Sequence, residues 1–341
     1  MRLFGLLCAM AAMAATPAFD GLYTGVTDSG SPGFAVMVRQ GGRTIFAHGY
    51  GLRDLRTRTP IDARTNFRLA SFTKQFTAMG IMLLARDGKL RYDETLGNVF
   101  PDFPAYGRGI TIRQLMNHTG GLPDYEDLMG DRWTPEHQIS DAEAMQLLKA
   151  QSKPKSPAGS KWEYSNSGYV VLGLVIQKRS GETYPAFLQK RIFGPLGMSH
   201  TLAYVKGANT VPERAYGHSM EHGKLVETDQ SSTSATLGDG GVYSNLDDLA
   251  KWDDALQKHT LLSETEMKPA LTPVSGYGFG WYLDPYRGHE RMWHTGETMG
   301  FRTAIERFPK DGVSVVVLCN RADLDAASLA LRAADQLLKG R

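Results

Sequence analysis

The spacing of hydrophobic and polar positions changes several times along the chain. From Gly33 to Gly51 the apolar residues fall in two short runs, "FAVMVRQ" and "RTIFAHGYG", joined at Gly41-Gly42. A Gly-Gly pair between alternating runs predicts a β-hairpin. From Ser71 to Arg86 the period becomes helical, with Phe72, Phe76, Met79, Met82 and Leu83 as its apolar positions and Gly88 as its end. Both faces of that segment are apolar, which predicts a buried helix.

Four more helical patterns follow. "DAEAMQLLKAQ" begins at the capping residue Asp141, "GYVVLGLVIQKRSG" runs into Gly181, "YPAFLQKRIFGPLG" ends at Gly194-Pro195, and "NLDDLAKWDDALQ" follows Ser244-Asn245. Strand patterns then return as "GYGFGWYL", "ERMWHTG", "FRTAIERFP" and "VSVVVLCN", before a final amphipathic helix, "LDAASLALRAADQLLKG". Strands at both ends with helices between them predict an α+β fold. An antiparallel sheet, covered by the first and last helices, carries an inserted all-helical lobe. The sheet lobe is expected over about 19–70 and about 270–341, and the mainly helical lobe over about 71–269. A cleft between two lobes is a natural place for a site.

The first residues break the pattern. Arg2 precedes an apolar stretch from Leu3 to Ala15, and small residues follow at Ala12-Met13-Ala14 and Thr16-Pro17-Ala18. Residues 1–18 therefore read as a secretory signal peptide, too short to span a bilayer comfortably. The expectation is an exported protein, periplasmic or secreted, whose mature chain has no integral membrane segment. Cys8 leaves with the signal, so Cys319 alone remains and no internal disulfide forms. Cys319 lies in an apolar run and is expected in a buried strand. Cleavage removes one charge, that of Arg2, and lowers the net charge from +2 to +1. Lys and Arg are scattered among the acids, which gives no reason to expect nucleic acid as a partner.

Candidate chemistry begins at Ser71-Phe72-Thr73-Lys74. A serine hydroxyl needs a base within hydrogen-bond reach and donors for the oxyanion. If Ser71 starts the helix, Lys74 lies one turn on, on the same face, and the free N–H groups of the helix start lie beside the serine oxygen. Burial would lower the Lys74 pKa and make it a base. Ser152-Lys153-Pro154-Lys155 repeats the spacing, but a proline in a charged loop gives no aligned turn.

"FRLASFTKQFTA" resembles the nucleophile segment of the class C serine β-lactamases and the related penicillin-binding proteins and esterases. That family carries a second motif, Tyr-x-Asn, and a third, Lys-Thr-Gly or His-Thr-Gly, on a strand. Here each occurs twice. Tyr164-Ser165-Asn166 follows a Pro-x-Gly approach and precedes an apolar helix, as the resemblance requires. Tyr243-Ser244-Asn245 is explained as a helix cap. His294-Thr295-Gly296 lies late and in a strand, whereas His118-Thr119-Gly120 resembles the family's structural loop.

The resemblance covers about Gly33 to Asn320 and implies a β-lactamase/transpeptidase-like fold. It also implies site roles. Ser71 is the nucleophile, Lys74 its base and Tyr164 a proton relay to the leaving group. Asn166, His294, Thr295 and Gly296 bind substrate, and the backbone N–H groups of Ser71 and Glu297 form the oxyanion hole. No cofactor and no metal are implied. His218-Ser219-Met220-Glu221-His222 matches a zinc-protease pattern that needs a helix, but Gly217 and Gly223 bracket it and predict a hairpin.

Histidine in the third motif resembles some D-alanyl-D-alanine carboxypeptidases, D-aminopeptidases and esterases of this fold. The implied activity is hydrolysis of an ester or amide, on a small-molecule or peptide substrate such as a cell-wall peptide or a β-lactam. The alternatives are a β-lactamase proper, a penicillin-binding sensor or scaffold that acylates and stalls, and a non-catalytic, self-assembling relative. A sensor would need a membrane helix, and the intact Ser71, Lys74 and Tyr164 argue against lost chemistry.

Overall fold

The computed structural model describes residues 19–338. The segment read as a signal peptide, residues 1–18, lies outside them. Six antiparallel strands form the main sheet: β1 (Phe34–Gln40), β2 (Arg43–Tyr50), β3 (Tyr282–Leu283), β4 (Met292–Thr298), β5 (Phe301–Phe308) and β6 (Val313–Cys319). Their order is β3-β4-β5-β6-β1-β2, so β1 from the start of the chain pairs with β6 from its end. Gly41 and Gly42 both take positive φ between β1 and β2, the backbone that a two-residue hairpin turn demands.

The period of two in β1 and β6 sorts side chains into two cores. Phe34, Val36 and Val38 face one cluster with Val315, Val317 and Cys319; Ala35 and Met37 face the other with Val316 and Leu318. Both strands are therefore buried on both faces, and Cys319 is fully enclosed.

Five helices of nine or more residues occur among the described residues: α1 (Lys74–Arg86), α2 (Asp141–Lys149), α3 (Asn166–Ser180), α4 (Leu246–Gln257) and α5 (Ala326–Leu337). The outer face of the sheet carries α5 together with Phe19 and Tyr23, whose phenol donates to the Leu329 carbonyl at 3.3 Å. The inner face carries α4. Asp253 of α4 is bonded there by Arg39 of β1 at 2.9 Å, by Arg307 of β5 at 2.6 Å and by Ser314 of β6 at 2.9 Å. α1 packs against α3 inside the inserted lobe, and the short turn Ala70–Thr73 just before it meets β4 and β5 of the sheet.

Three expectations need correction. The inserted lobe is not all-helical: Val242–Ser244 pairs with Phe67–Arg68 on one side and Leu202–Ala203 on the other. A hairpin, His218–Glu221 with Lys224–Glu227, stands there too. α2 is capped by Ser140, whose oxygen accepts from the Glu143 N–H; Asp141 is the first helical residue and takes the Leu237 N–H at 3.0 Å. Of "GYGFGWYL" only Tyr282–Leu283 is strand, because Gly276 and Gly280 adopt positive φ and turn the chain.

Candidate active site

Ser71 does not open the α-helix. It sits in a 3-10 turn, Ala70–Thr73, and α1 begins at Lys74. The tighter turn still brings Lys74 round to Ser71, and Nζ donates to Oγ at 2.9 Å. Ala70 holds φ at +49°, costly for a residue with a Cβ. The turn is clamped by three hydrogen bonds, two from Val242 and one from Thr303. The Leu69 N–H donates to the Val242 carbonyl at 2.9 Å, the Thr73 hydroxyl accepts the Val242 N–H at 3.1 Å, and the Thr303 hydroxyl donates to the Leu69 carbonyl at 2.8 Å.

The Lys74 side chain is fully buried. Its Nζ also donates to Asn166 Oδ1 at 2.9 Å and to the Asp239 carbonyl at 3.0 Å. Burial depresses its pKa to about 8, with the carboxylates of Asp239, Glu126 and Asp124 pulling the other way. Asn166 is the first residue of α3 and passes the contact on, giving one Nδ2 hydrogen to Glu126 Oε1 at 3.0 Å. Tyr164 lines one cavity with Ser71, and Lys74 Nζ lies 4.9 Å from the tyrosine ring centre. Burial pushes the Tyr164 pKa up, so the phenol holds its proton at neutral pH.

His118 has a part in this site that the sequence did not reveal. Its ring lies buried, and Nδ1 accepts the Ser165 N–H at 3.1 Å, which fixes the backbone just after Tyr164. Its φ of +60° turns the "NHTGG" loop under the tyrosine. Burial holds the His118 pKa well below its usual value, which keeps Nδ1 an acceptor.

β4 lies alongside the serine turn. A Cβ on Gly296 would stand 2.0 Å from the Leu69 carbonyl oxygen, so only glycine permits this approach. β3 pairs with β4 only at Met292 and Trp293, which leaves the edge from His294 to Thr298 without a strand on that side. His294 is buried at the head of this edge. Its Nε2 meets the Tyr277 hydroxyl at 3.0 Å and its Nδ1 meets the Thr295 carbonyl at 2.6 Å. Since a carbonyl only accepts, Nδ1 carries the proton and Nε2 accepts from Tyr277. Burial lowers the His294 pKa to about 3, with Lys74 adding to the effect. His294 is therefore neutral.

Two cavities meet at the serine. One is lined by Tyr164, Tyr282, His294 and Thr295, the other by Arg68, Tyr125, Glu126, Asn166 and Asp239 among others. They share two lining residues, Ser71 and Glu297.

The duplicated motifs lie elsewhere. Asn245 caps α4, accepting the Asp248 N–H at 2.9 Å, and Tyr243 is buried beside Arg214. Ser152 and Lys153 are exposed in a loop. His218 and Glu221 bound one strand of the hairpin, and His222 sits in its turn at φ +49°. No helix aligns the two histidines. Arg68, Glu126, Asp239 and Tyr277 reach the site without a sequence signal that could have found them.

A family model described as Beta-lactamase matches residues 15–338. A penicillin-binding protein of Bacillus subtilis strain 168 is 33% identical over 332 residues, covering 90% of this chain and 72% of that protein. The D-amino acid amidase of Ochrobactrum anthropi SV3 superposes with a TM-score of 0.80 at 25% identity, over 94% of this chain and 98% of that one. The penicillin binding protein of Bacillus halodurans also superposes at 0.80, with 25% identity over 94% and 100%.

Proposed function

The chain belongs to the beta-lactamase family, and we propose that this serine hydrolase is exported and cleaves an ester or amide with a neutral leaving group through a Ser71 acyl-enzyme. The observation that carries the reading is the 2.9 Å contact between a desolvated Lys74 Nζ and Ser71 Oγ. Neutral Lys74 takes the hydroxyl proton as Oγ attacks the substrate carbonyl. The oxyanion forms against the N–H groups of Ser71 and Glu297, the residues common to both cavities. Tyr164, still protonated, gives its proton to the leaving group, and the Lys74 ammonium, which holds the proton taken from Ser71, returns one to Tyr164. Water then cleaves the acyl-enzyme. No step calls for a metal or cofactor.

Tyr164 lines one cavity and not the other, so the leaving group occupies the cavity of Tyr164, Tyr282 and His294, and the acyl group the opposite one. The leaving-group cavity is lined by no cation: His294 is neutral and Glu297 is acidic. A departing carboxylate, as in a carboxypeptidase substrate or a penicillin, gains no ion pair there. An alcohol or a simple amine fits better, in keeping with the amide that gives the Ochrobactrum relative its name. The free edge of β4 reaches both cavities, with His294 and Thr295 on the leaving-group side and Thr298 on the acyl side, and can bind an extended substrate by main-chain bonds.

The test is turnover of p-nitrophenyl acetate and of amino-acid amides by wild type and Ser71→Ala, with intact-mass analysis after exposure to penicillin. Serine-dependent turnover without a lasting adduct is expected. Full activity in Ser71→Ala would sink the reading, and a persistent Ser71 adduct would restore the penicillin-binding alternative. N-terminal sequencing of protein from an exporting host checks the cleavage after residue 18.

A further inference from the structure

Three arginines are buried among the described residues: Arg39, Arg68 and Arg307. Arg39 and Arg307 both pair with Asp253. Arg68 has no carboxylate partner. Only its Nη2 is engaged, on the Ser234 carbonyl at 3.1 Å, and Nε and Nη1 are left without acceptors. A buried guanidinium in that state is expensive unless a ligand completes it. Arg68 is 3% exposed and lines the acyl-side cavity three residues before the nucleophile.

The same cavity holds the opposite deficiency. Asp239 is 6% exposed, and its Oδ2 accepts from the Tyr125 phenol at 3.1 Å while Oδ1 has no donor. The walls of one cavity thus hold unused donors on a cation and an unused acceptor on an anion. A lone carboxylate in the ligand would answer Arg68, leave Asp239 unpaired and face Glu126. A lone ammonium would do the reverse. An amino-acid head group, with ammonium and carboxylate on one carbon, answers both with charge-assisted bonds.

We propose that the acyl-side cavity is a subsite for acyl groups ending in a zwitterionic amino-acid head, with Arg68 holding its carboxylate and Asp239 its ammonium, as in a γ-glutamyl group. This rests on placing the leaving group against Tyr164. The chemistry at Ser71 is unchanged: the γ-carbonyl is attacked, the bond to the leaving nitrogen breaks, Tyr164 supplies that nitrogen's proton, and water releases the free amino acid. Arg68 and Asp239 act on selection rather than on the reacting atoms.

Four acyl groups, each as its p-nitroanilide with the same neutral leaving group, isolate the two charges. γ-Glutamyl-p-nitroanilide, as D and L forms, carries both; the glutaryl compound lacks the ammonium, the 4-aminobutyryl compound lacks the carboxylate, and the butyryl compound lacks both. Calorimetry with the Ser71→Ala protein reads binding, and wild-type kcat/KM reads selection. One γ-glutamyl form should exceed butyryl by about tenfold or more, and each half-charged compound should fall short of it. In Arg68→Gln the γ-glutamyl and 4-aminobutyryl compounds should become equal, and in Asp239→Asn the γ-glutamyl and glutaryl compounds should. Equal binding of all four by Ser71→Ala overturns the proposal without needing a folded Arg68 variant, as does 4-aminobutyryl matching γ-glutamyl in wild type. Selective binding with no serine-dependent turnover of any compound would instead overturn the hydrolase reading and leave the subsite standing.

Discussion

The ring of His118 lies with its centre 4.3 Å from that of Tyr164, tilted by 38°. A loop histidine whose His-Thr-Gly sequence imitates the third motif thus supports the second. With Nδ1 on the Ser165 N–H, it fixes both the tyrosine ring and the backbone that follows. His118→Phe keeps a ring there and removes the acceptor, leaving a buried N–H unpaired at a cost of about 1–3 kcal/mol in stability. Amide turnover should fall by roughly tenfold or more. Cleavage of p-nitrophenyl esters, whose leaving group needs no proton, should fall less. Equal losses on both substrates would assign His118 a purely structural role.

Lys74 sets the pH dependence. Its pKa is depressed, so the active neutral form gains as pH rises and kcat/KM for an ester should climb through about pH 8. Below that point the rate should drop about tenfold per pH unit. The limb is read from stopped-time assays between pH 6 and 10. A limb near the ordinary lysine value would mean that Nζ is solvated in the working enzyme.

Gly296 marks the closest approach of β4 to the serine turn. Alanine there would set its Cβ against the Leu69 oxygen and, at 2.4 Å, the Thr303 hydroxyl. Gly296→Ala should cost about 2–3 kcal/mol or more in unfolding free energy. Acylation should fall further than the stability loss explains, because the turn and β4 are forced apart. A variant as stable and active as wild type would show that the contact relaxes freely.

The two Tyr-x-Asn copies separate cleanly by mutation. Asn245→Ala removes the cap of α4 and should lower stability by about 1 kcal/mol, with kcat within about twofold of wild type. Asn166→Ala removes one of the three partners of Lys74 Nζ and should reduce kcat by roughly a hundredfold. Thermal unfolding and ester turnover, measured on both variants, check the contrast; similar kinetic losses would leave the two copies unresolved as chemistry.

Much of this was legible from local pattern. The period of two around Gly41-Gly42 and in "VSVVVLCN" marks β1, β2 and β6, because side-chain alternation is a property of neighbouring residues. The spacing of Ser71 and Lys74 and the bracketing glycines of the 218–222 decoy were readable for the same reason. The glycine-rich "GYGFGWYL" misled, because backbone turns at positive φ overrode its apolar content.

What the tertiary structure alone decided lies at long sequence separation. Asn166 and the Asp239 carbonyl reach Lys74 from 92 and 165 residues away, and Leu69 is held by Thr303 from 234 away. No local period encodes such pairs, since they arise only when segments far apart in the chain fold against one another. The charge state of the third motif is of the same kind. A histidine read in isolation titrates near neutrality, and only burial beneath Tyr277 and beside Lys74 keeps His294 uncharged. The sequence determined which reactive groups exist and where a turn could pair two of them. Enclosure determined their protonation and what the cavities on either side of Ser71 are able to hold, because desolvation acts through everything that surrounds a group.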